Sequence, residues 1–397
     1  MINAREALQS ILNAAHPLGP VTLSIERSIG SALAEDVVAA ENIPSFDNAA
    51  MDGFAVISSD AATAPVTLSI AGEVAAGAVA SSDLKPGEAM SIMTGAKIPR
   101  GCDAVIQQEW TELPDPHHVK LLRPVTAGHN IRRAGSDITS GTVVLKRGTS
   151  LRPQEIGVLA SLGRRFAVVH RKPSVAILAT GSEIVDVAKP LPDGKVRNSN
   201  AYVLTALAAQ LGCDAVNMGI VQDELAEIKK RMEEGLRSDV LITTGGVSVG
   251  KYDLVMSALK ELGGEVKFWK VNIKPGMPLM FGQCRGRLVF GLPGNPVSAM
   301  VTFLQFVKPA LLRLMGLERE APVRLHARLD EEIRKSDGKR HFVRGILTNS
   351  DGSVHVRTTG SQVSNVLTSL SRADCLIILP EDRDYFPKGA EVEVELL

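Results

Sequence analysis

The stretch from Asp239 to Pro296 constrains this chain more than any other, reading DVLITTGG, VSVGKYD, FWKVNIKPGMP and VFGLPGNP in order. Two β-rich apolar runs, Val240–Thr243 and Leu288–Phe290, each empty into a glycine-rich turn. Gly245-Gly246 and the turn from Gly291 to Gly294 can take positive φ or let a ligand approach the backbone closely. A strand that ends in such a turn and then opens a helix leaves unpaired N–H groups at the helix start, which suits phosphate. Asp253 and Lys274 fall in the adjoining loops.

The flanking texture says what surrounds this stretch. From Pro173 onward, apolar runs at Ser174–Ala179, Ala215–Val221, Asp239–Thr243, Val266–Val271 and Leu288–Phe290 read as strands. Helical patterns separate them: Ala201–Leu211 capped by Asn198 or Ser199, a second from Asp223 to about Leu236, and a third over Asp253–Leu262. Pro296 opens a long helix, Val297–Met315, with a kink expected at Pro309. Buried strands alternating with helices predict a mostly parallel α/β sheet covered on both faces. Upstream, the pattern gives a helix at Asn3–Ala15, a strand at Pro20–Ser24, an amphipathic stretch at Ser31–Val38 and a helix in LRPQEIGVLASLG. Short alternating runs from Val56 to about Gly141, and again from Ala321, predict two small β domains. The expected fold class is therefore α/β and β multidomain. Residues 1–47 and 141–172 form one discontinuous N-terminal unit, 48–140 a β insertion, 173–320 the α/β domain and 321–397 a small C-terminal β-barrel.

Composition narrows the partners. The chain of 397 residues carries 44 acidic and 44 basic side chains and only 4% aromatics. Neither a basic stripe nor stacking platforms stand out, so nucleic acid is not an expected partner. The four cysteines, Cys102, Cys213, Cys284 and Cys375, lie far apart with no CxxC spacing. Reduced, buried thiols are expected rather than a zinc site. The N-terminus lacks the pattern of a signal peptide, and no run is read as reaching the roughly eighteen apolar residues of a membrane span. A soluble, cytoplasmic protein is the expectation.

In an open α/β sheet, ligands sit beyond the carboxyl ends of the parallel strands. Those ends read Thr180-Gly181-Ser182-Glu183, Gln222-Asp223, Thr243-Thr244-Gly245-Gly246 and Gly291-Leu292-Pro293-Gly294. Three carboxylates, Glu183, Asp223 and Asp253, are thereby expected on one rim. Clustered carboxylates repel unless a cation neutralises them, and oxygen donors without His or Cys suit Mg²⁺. Lys270 and Lys274 would supply positive charge for an anion. Asp223 and Asp253 also read as ordinary helix caps, and the two lysines as solvated charges. Their joint placement at successive strand ends favours a phosphate-bearing substrate. No Ser–His or Cys–His arrangement suggests a protein nucleophile.

The ordered motifs FDNAAMDGFAV, IMTGAKIP, GSDI, ATGSEIV, NSN, TTGGVSVGKYD, FWKVNIKPG and FGLPGNPVSA, with FVRG and TGSQVSN near the end, resemble the molybdopterin molybdenumtransferase family. That family includes the bacterial MoeA proteins and the E domains of fusion proteins such as gephyrin. The resemblance spans nearly the whole chain. It implies a four-domain subunit in an elongated homodimer, and insertion of molybdate into adenylylated molybdopterin with release of AMP. It gives Glu183, Asp223 and Asp253 to Mg²⁺ and the pterin phosphate region, and Lys270 and Lys274 to phosphate or molybdate. Thr180, Gly181, Ser182, Gly245, Gly246, Ser248, Pro293, Gly294, Asn295 and Pro296 fall in the substrate-binding motifs. Asp52, Thr94 and Asp137 match positions that reach the site, from the partner subunit. Arg344 and Ser364 match anion-contacting positions of the C-terminal domain. Met277 is a departure, since many relatives carry Lys there. An upstream adenylyltransferase and recipient molybdoenzymes are implied as further partners. Two other readings remain: the adenylyltransferase itself, whose turn after TTGG differs from the one here, and a scaffold relative without turnover.

Overall fold

The central sheet explains why the chain carries so many uninterrupted apolar runs. The computed structural model describes residues 1–246, 254–317, 322–350 and 352–397. Four strands, Asp214–Val221, Ser174–Thr180, Val240–Thr244 and Arg287–Leu292, lie parallel in that order. Two antiparallel strands, Met280–Cys284 and Glu265–Trp269, complete the sheet. Successive side chains of a strand point to opposite faces. Accordingly Val175, Ile177 and Ala179 pack with Ile11, Leu204 and Phe303 on one face. Ala176 and Leu178 pack with Ile228, Met232 and Leu259 on the other. Both faces are covered, as the sequence pattern predicts.

The helices agree in place with expectation and differ in detail. The first runs over Ala4–Ala14, where the Asn3 side chain accepts from the Glu6 N–H at 2.8 Å. Of the two cap candidates for Asn200–Gln210, Asn198 is the one that accepts, from the Ala201 N–H at 3.2 Å. Asp223 is not a cap: the next helix starts at Leu225 behind Glu224, with no side-chain cap. Ser31–Val38 forms no helix; it is held by backbone bridges and a two-residue strand, Val37–Val38, against Val143–Leu145. The long helix opens at Pro296 and passes through π geometry over Phe303–Val307 before resuming at Lys308. Pro309 has no N–H for the Gln305 carbonyl, so the hydrogen-bond ladder is interrupted there. The run Pro296–Leu314 is long and apolar enough to cross a membrane, against the expectation that no such run exists. However, 72% of that window is buried inside the fold, where it forms the core helix.

Around this domain stand the β parts. Residues Gly53–Val56, Val66–Val74, Glu88–Ile92, Ala104–Gln107, Thr111–Asp115 and His118–Leu121 form one sheet. Near the C-terminus, Arg324–Leu329, Ser353–Thr358, Arg340–Ser350, Cys375–Leu379 and Glu391–Leu396 pair in a closed ring, a small five-stranded barrel. The central domain lends it one more strand. Ile273–Lys274 pairs in parallel with Arg340-His341, tying the KPG loop to the barrel. The chain start braces the same loop, because the Ile2 N–H donates to the Lys270 carbonyl at 3.1 Å.

At the opposite, amino end of the sheet, Asp239 is buried and tied to several donors. Arg171 donates to both its oxygens at 2.6 and 2.7 Å, Arg287 at 2.8 Å, and Ser174 from N–H and hydroxyl at 2.9 Å. Burial pushes this carboxyl up, but Arg171 and the Ser174 donors outweigh it and hold it at about 2. A folded-state value below the ordinary one makes the stabilisation complete above about pH 4 and lost as pH falls toward 2. Both arginines are nearly 40% exposed, so the cost of Asp239→Asn at neutral pH is expected at roughly 2 kcal/mol. Denaturant unfolding of the variant should also show a shallower loss of stability between pH 4 and 2.

Candidate active site at the carboxyl ends of the parallel strands

The four parallel strands end on one rim, and a cleft of about 580 Å³ opens there between the two glycine turns. Glu183, Gly245, Gly246 and the run from Pro293 to Pro296 line it. Thr180 lies fully buried beneath. The glycines are required by contact. A Cβ on Gly245, at φ +94°, would sit 2.1 Å from the Thr180 carbonyl oxygen, and one on Gly246 2.7 Å from the Thr180 hydroxyl. The Gly245 N–H in turn donates to the Leu292 carbonyl at 3.1 Å, so the turns are locked together.

Two of the expected carboxylates stand at this rim. Asp223 accepts from the Ser182 N–H at 3.0 Å, and its own N–H donates to the Ser182 hydroxyl at 3.3 Å, joining two strand ends. Glu183 folds back over Gly181, where a Cβ would meet its carboxylate at 2.7 Å. Ser248 and Asp253 lie outside the described residues. Among the described residues, no group of three or more His, Cys, Asp or Glu side chains is placed to hold a metal.

The lysines are positioned but do not line the cleft. Lys270 adopts φ +71° and lays its ammonium 4.0 Å from the centre of the Trp269 ring. Lys274 is exposed and pairs with Asp337 at 3.3 Å. Burial pushes the Asp337 carboxyl up, but its bonds with His341, Lys339 and Lys274 hold it at about 2. Met277 is half-buried and its carbonyl accepts from the Val271 and Leu279 N–H groups.

Other expected contributors fall elsewhere in the chain. Asp52 accepts from the Thr94 N–H at 2.6 Å and the Thr94 hydroxyl at 2.8 Å, and these bonds hold its carboxyl below the ordinary range. Asp52 borders a separate cleft in the β insertion. Asp137 is exposed, with its N–H on the Ile43 carbonyl. None of these three lines the Glu183 cleft.

Arg344 points into the fold. It is only 1% exposed, and its guanidinium donates to the Ser369 hydroxyl at 3.0 Å and the Val363 carbonyl at 3.2 Å. Burial pushes it down to about 10. It thereby secures the loop from Ser361 to Val363. That loop does reach the site: the Ser364 carbonyl accepts from the Val297 N–H at 3.2 Å, and Asn365 lines the cleft. Lys195, Asn200 and Asn365 were not singled out from sequence. The Lys195 ammonium donates to the Ser182 carbonyl at 2.8 Å, beside the carboxylates. For Asn200 the available signal was its place in NSN, at the start of a helix facing the strand ends.

Comparison with known proteins agrees with this architecture. Residues 2–163 match the MoeA N-terminal region (domain I and II), 176–313 a probable molybdopterin binding domain, and 326–397 the MoeA C-terminal region (domain IV). The molybdopterin molybdenumtransferase of Haemophilus influenzae is 37% identical over 94% of this chain and 93% of its own length. The chain belongs to the MoeA family. The Staphylococcus aureus molybdopterin molybdenumtransferase is 36% identical over the whole chain and 95% of its own. Among solved members of the family, the molybdopterin biosynthesis moeA protein of Pyrococcus horikoshii superposes with a TM-score of 0.87 at 31% identity, covering all of both chains.

Proposed function

We infer that this chain is the transferase that inserts molybdenum during molybdenum cofactor biosynthesis, with the reaction centred on the Glu183 cleft. Its substrates are adenylylated molybdopterin and molybdate, and AMP is the leaving product. The observation that carries the reading is the cleft itself, formed by the two glycine turns inside the region matching a probable molybdopterin binding domain. The alternative of an adenylyltransferase is disfavoured because relatives named molybdenumtransferases match along the whole chain.

The chemistry brings two anions together, so charge must be offset and both partners fixed. Gly245, Gly246 and Gly294 present bare backbone on which a phosphate can lie close. Glu183 and Asp223 are exposed oxygen donors that fit Mg²⁺, which takes few protein carboxylates and completes its shell with phosphate and water. When bound there, Mg²⁺ would neutralise charge on the departing phosphate. The bond from the Ser182 N–H to one oxygen of Asp223 leaves its other oxygen available as a donor to the metal. Lys270 and Lys274 add positive potential from the braced KPG loop, though Lys274 must first leave Asp337 to touch an anion directly.

We further propose that the enzyme works as a homodimer, with Asp52, Thr94 and Asp137 of the β insertion completing the partner's cleft. The support is negative within one chain and positive in chemistry: these residues are exposed, Asp52 is held as a carboxylate by Thr94, and they do not line the chain's own cleft. The division of the chain at 47/48, 140/141, 172/173 and 320/321 belongs to the same proposal. An upstream adenylyltransferase and recipient molybdoenzymes are the expected neighbours in the pathway. Free, mostly buried thiols suit a reducing cytoplasm. The test is complementation. Asp52→Asn and Glu183→Gln homodimers should each be nearly inactive, whereas an equimolar mixture of the two, co-refolded so that about half of the dimers are mixed and each mixed dimer has one intact site, should recover about a quarter of wild-type AMP release. A mixture no more active than its parents would overturn the shared site.

A further inference from the structure

Asn200, at the start of the helix Asn200–Gln210, bridges three segments of the cleft. Its amide nitrogen donates to the Gly294 carbonyl at 2.8 Å and to the Thr244 hydroxyl at 2.9 Å. The Thr244 hydroxyl passes the bond on to the Pro293 carbonyl at 3.1 Å. A carbonyl can only accept, so the Gly294 contact fixes which end of the Asn200 amide is nitrogen. Both N–H bonds are then committed, and they hold the GLPGNP turn against the end of the Val240–Thr244 strand. The amide oxygen has no donor among the described residues, and Asn200 lines the cleft.

We propose that Asn200 is a specificity-determining residue: its amide nitrogen fixes the two glycine turns, and its amide oxygen accepts a hydrogen bond from an N–H of the substrate's heterocycle. The inference rests on the reading of this cleft as the pterin-bearing substrate's site. A pterin carries ring N–H and amino donors, whereas phosphate and molybdate at neutral pH offer almost none. An acceptor of fixed orientation inside an otherwise anion-seeking cleft therefore selects for the ring and not for the charged groups. A substrate lacking those donors would leave the oxygen desolvated and unpaired, which a site of this kind discriminates against.

The two roles separate in a pair of variants. Asn200→Ala removes the nitrogen and the oxygen; Asn200→Asp removes the N–H donors and keeps an acceptor oxygen. Amide hydrogen exchange should show the turn around Gly294 opening faster in both variants. Calorimetric titration with 6-hydroxymethylpterin, which has no phosphate, should separate them. Asn200→Ala is expected to weaken binding about tenfold relative to wild type, and Asn200→Asp to retain most of the affinity. Equal weakening in the two variants, or none in either, would overturn the proposal while leaving the site reading intact. A wild-type protein that fails to bind the pterin at all would overturn the reading of the cleft and this inference with it.

Discussion

Gly245→Ala is expected to abolish turnover and to lower stability by at least roughly 3 kcal/mol. The new Cβ would sit 2.1 Å from the Thr180 carbonyl oxygen, a contact that real Cβ atoms do not make, on a backbone at φ +94°. Neither partner can yield easily. Thr180 is the last residue of a buried strand, and the Gly245 N–H is bonded to the Leu292 carbonyl. Relief requires the two turns to part, which opens the cleft that they form. Gly286→Ala is the natural control, since Gly286 has φ +76° but open space around its Cα. It should cost only about 1 kcal/mol and leave AMP release unchanged. Thermal unfolding together with an AMP-release assay separates the two effects.

Glu183→Gln and Asp223→Asn are expected to show the converse pattern, with loss of turnover and little loss of stability. Both side chains are exposed, so each change should stay within about 0.5 kcal/mol of wild-type stability. The amide oxygen of Asp223→Asn can still accept from the Ser182 N–H, preserving the tie between strand ends. What disappears is negative charge in the place where a divalent cation must be held against a phosphate. Removing such a group should reduce AMP release by roughly a hundredfold or more. Raising Mg²⁺ should recover part of the rate if the carboxylates act through the metal. Retention of wild-type rates at low Mg²⁺ would show that these carboxylates play no part.

The central domain was legible because periodicity and turn chemistry agreed. The run from Ser174 to Ala179 is apolar after its first residue, as a strand buried on both faces must be, and the strand appears one residue longer, over Ser174–Thr180. The strand Met280–Cys284 was not singled out, although its signal is present: Arg285 and Gly286, both at positive φ, make the two-residue hairpin turn to Arg287–Leu292. Asp223 illustrates a limit of local reading. A carboxylate just before a helix looks like a cap, and only the parallel pairing of its strand with Ser174–Thr180 brings it to Ser182. Arg344 illustrates another. Sequence shows a cation in FVRG but not which way its side chain points, and the barrel turns it inward onto carbonyls. Asn200 was missed for the same reason, because its two acceptors lie 44 and 94 positions away in the chain.

The central claim is that the adenylylated substrate binds where the two glycine turns meet. A crystal structure of the protein soaked with AMP tests it most directly. The nucleotide's phosphate should lie against Gly245, Gly246 and Gly294, within reach of Glu183. Phosphate density elsewhere, such as the groove between Leu12 and Pro309, with the Glu183 cleft empty, would contradict the account.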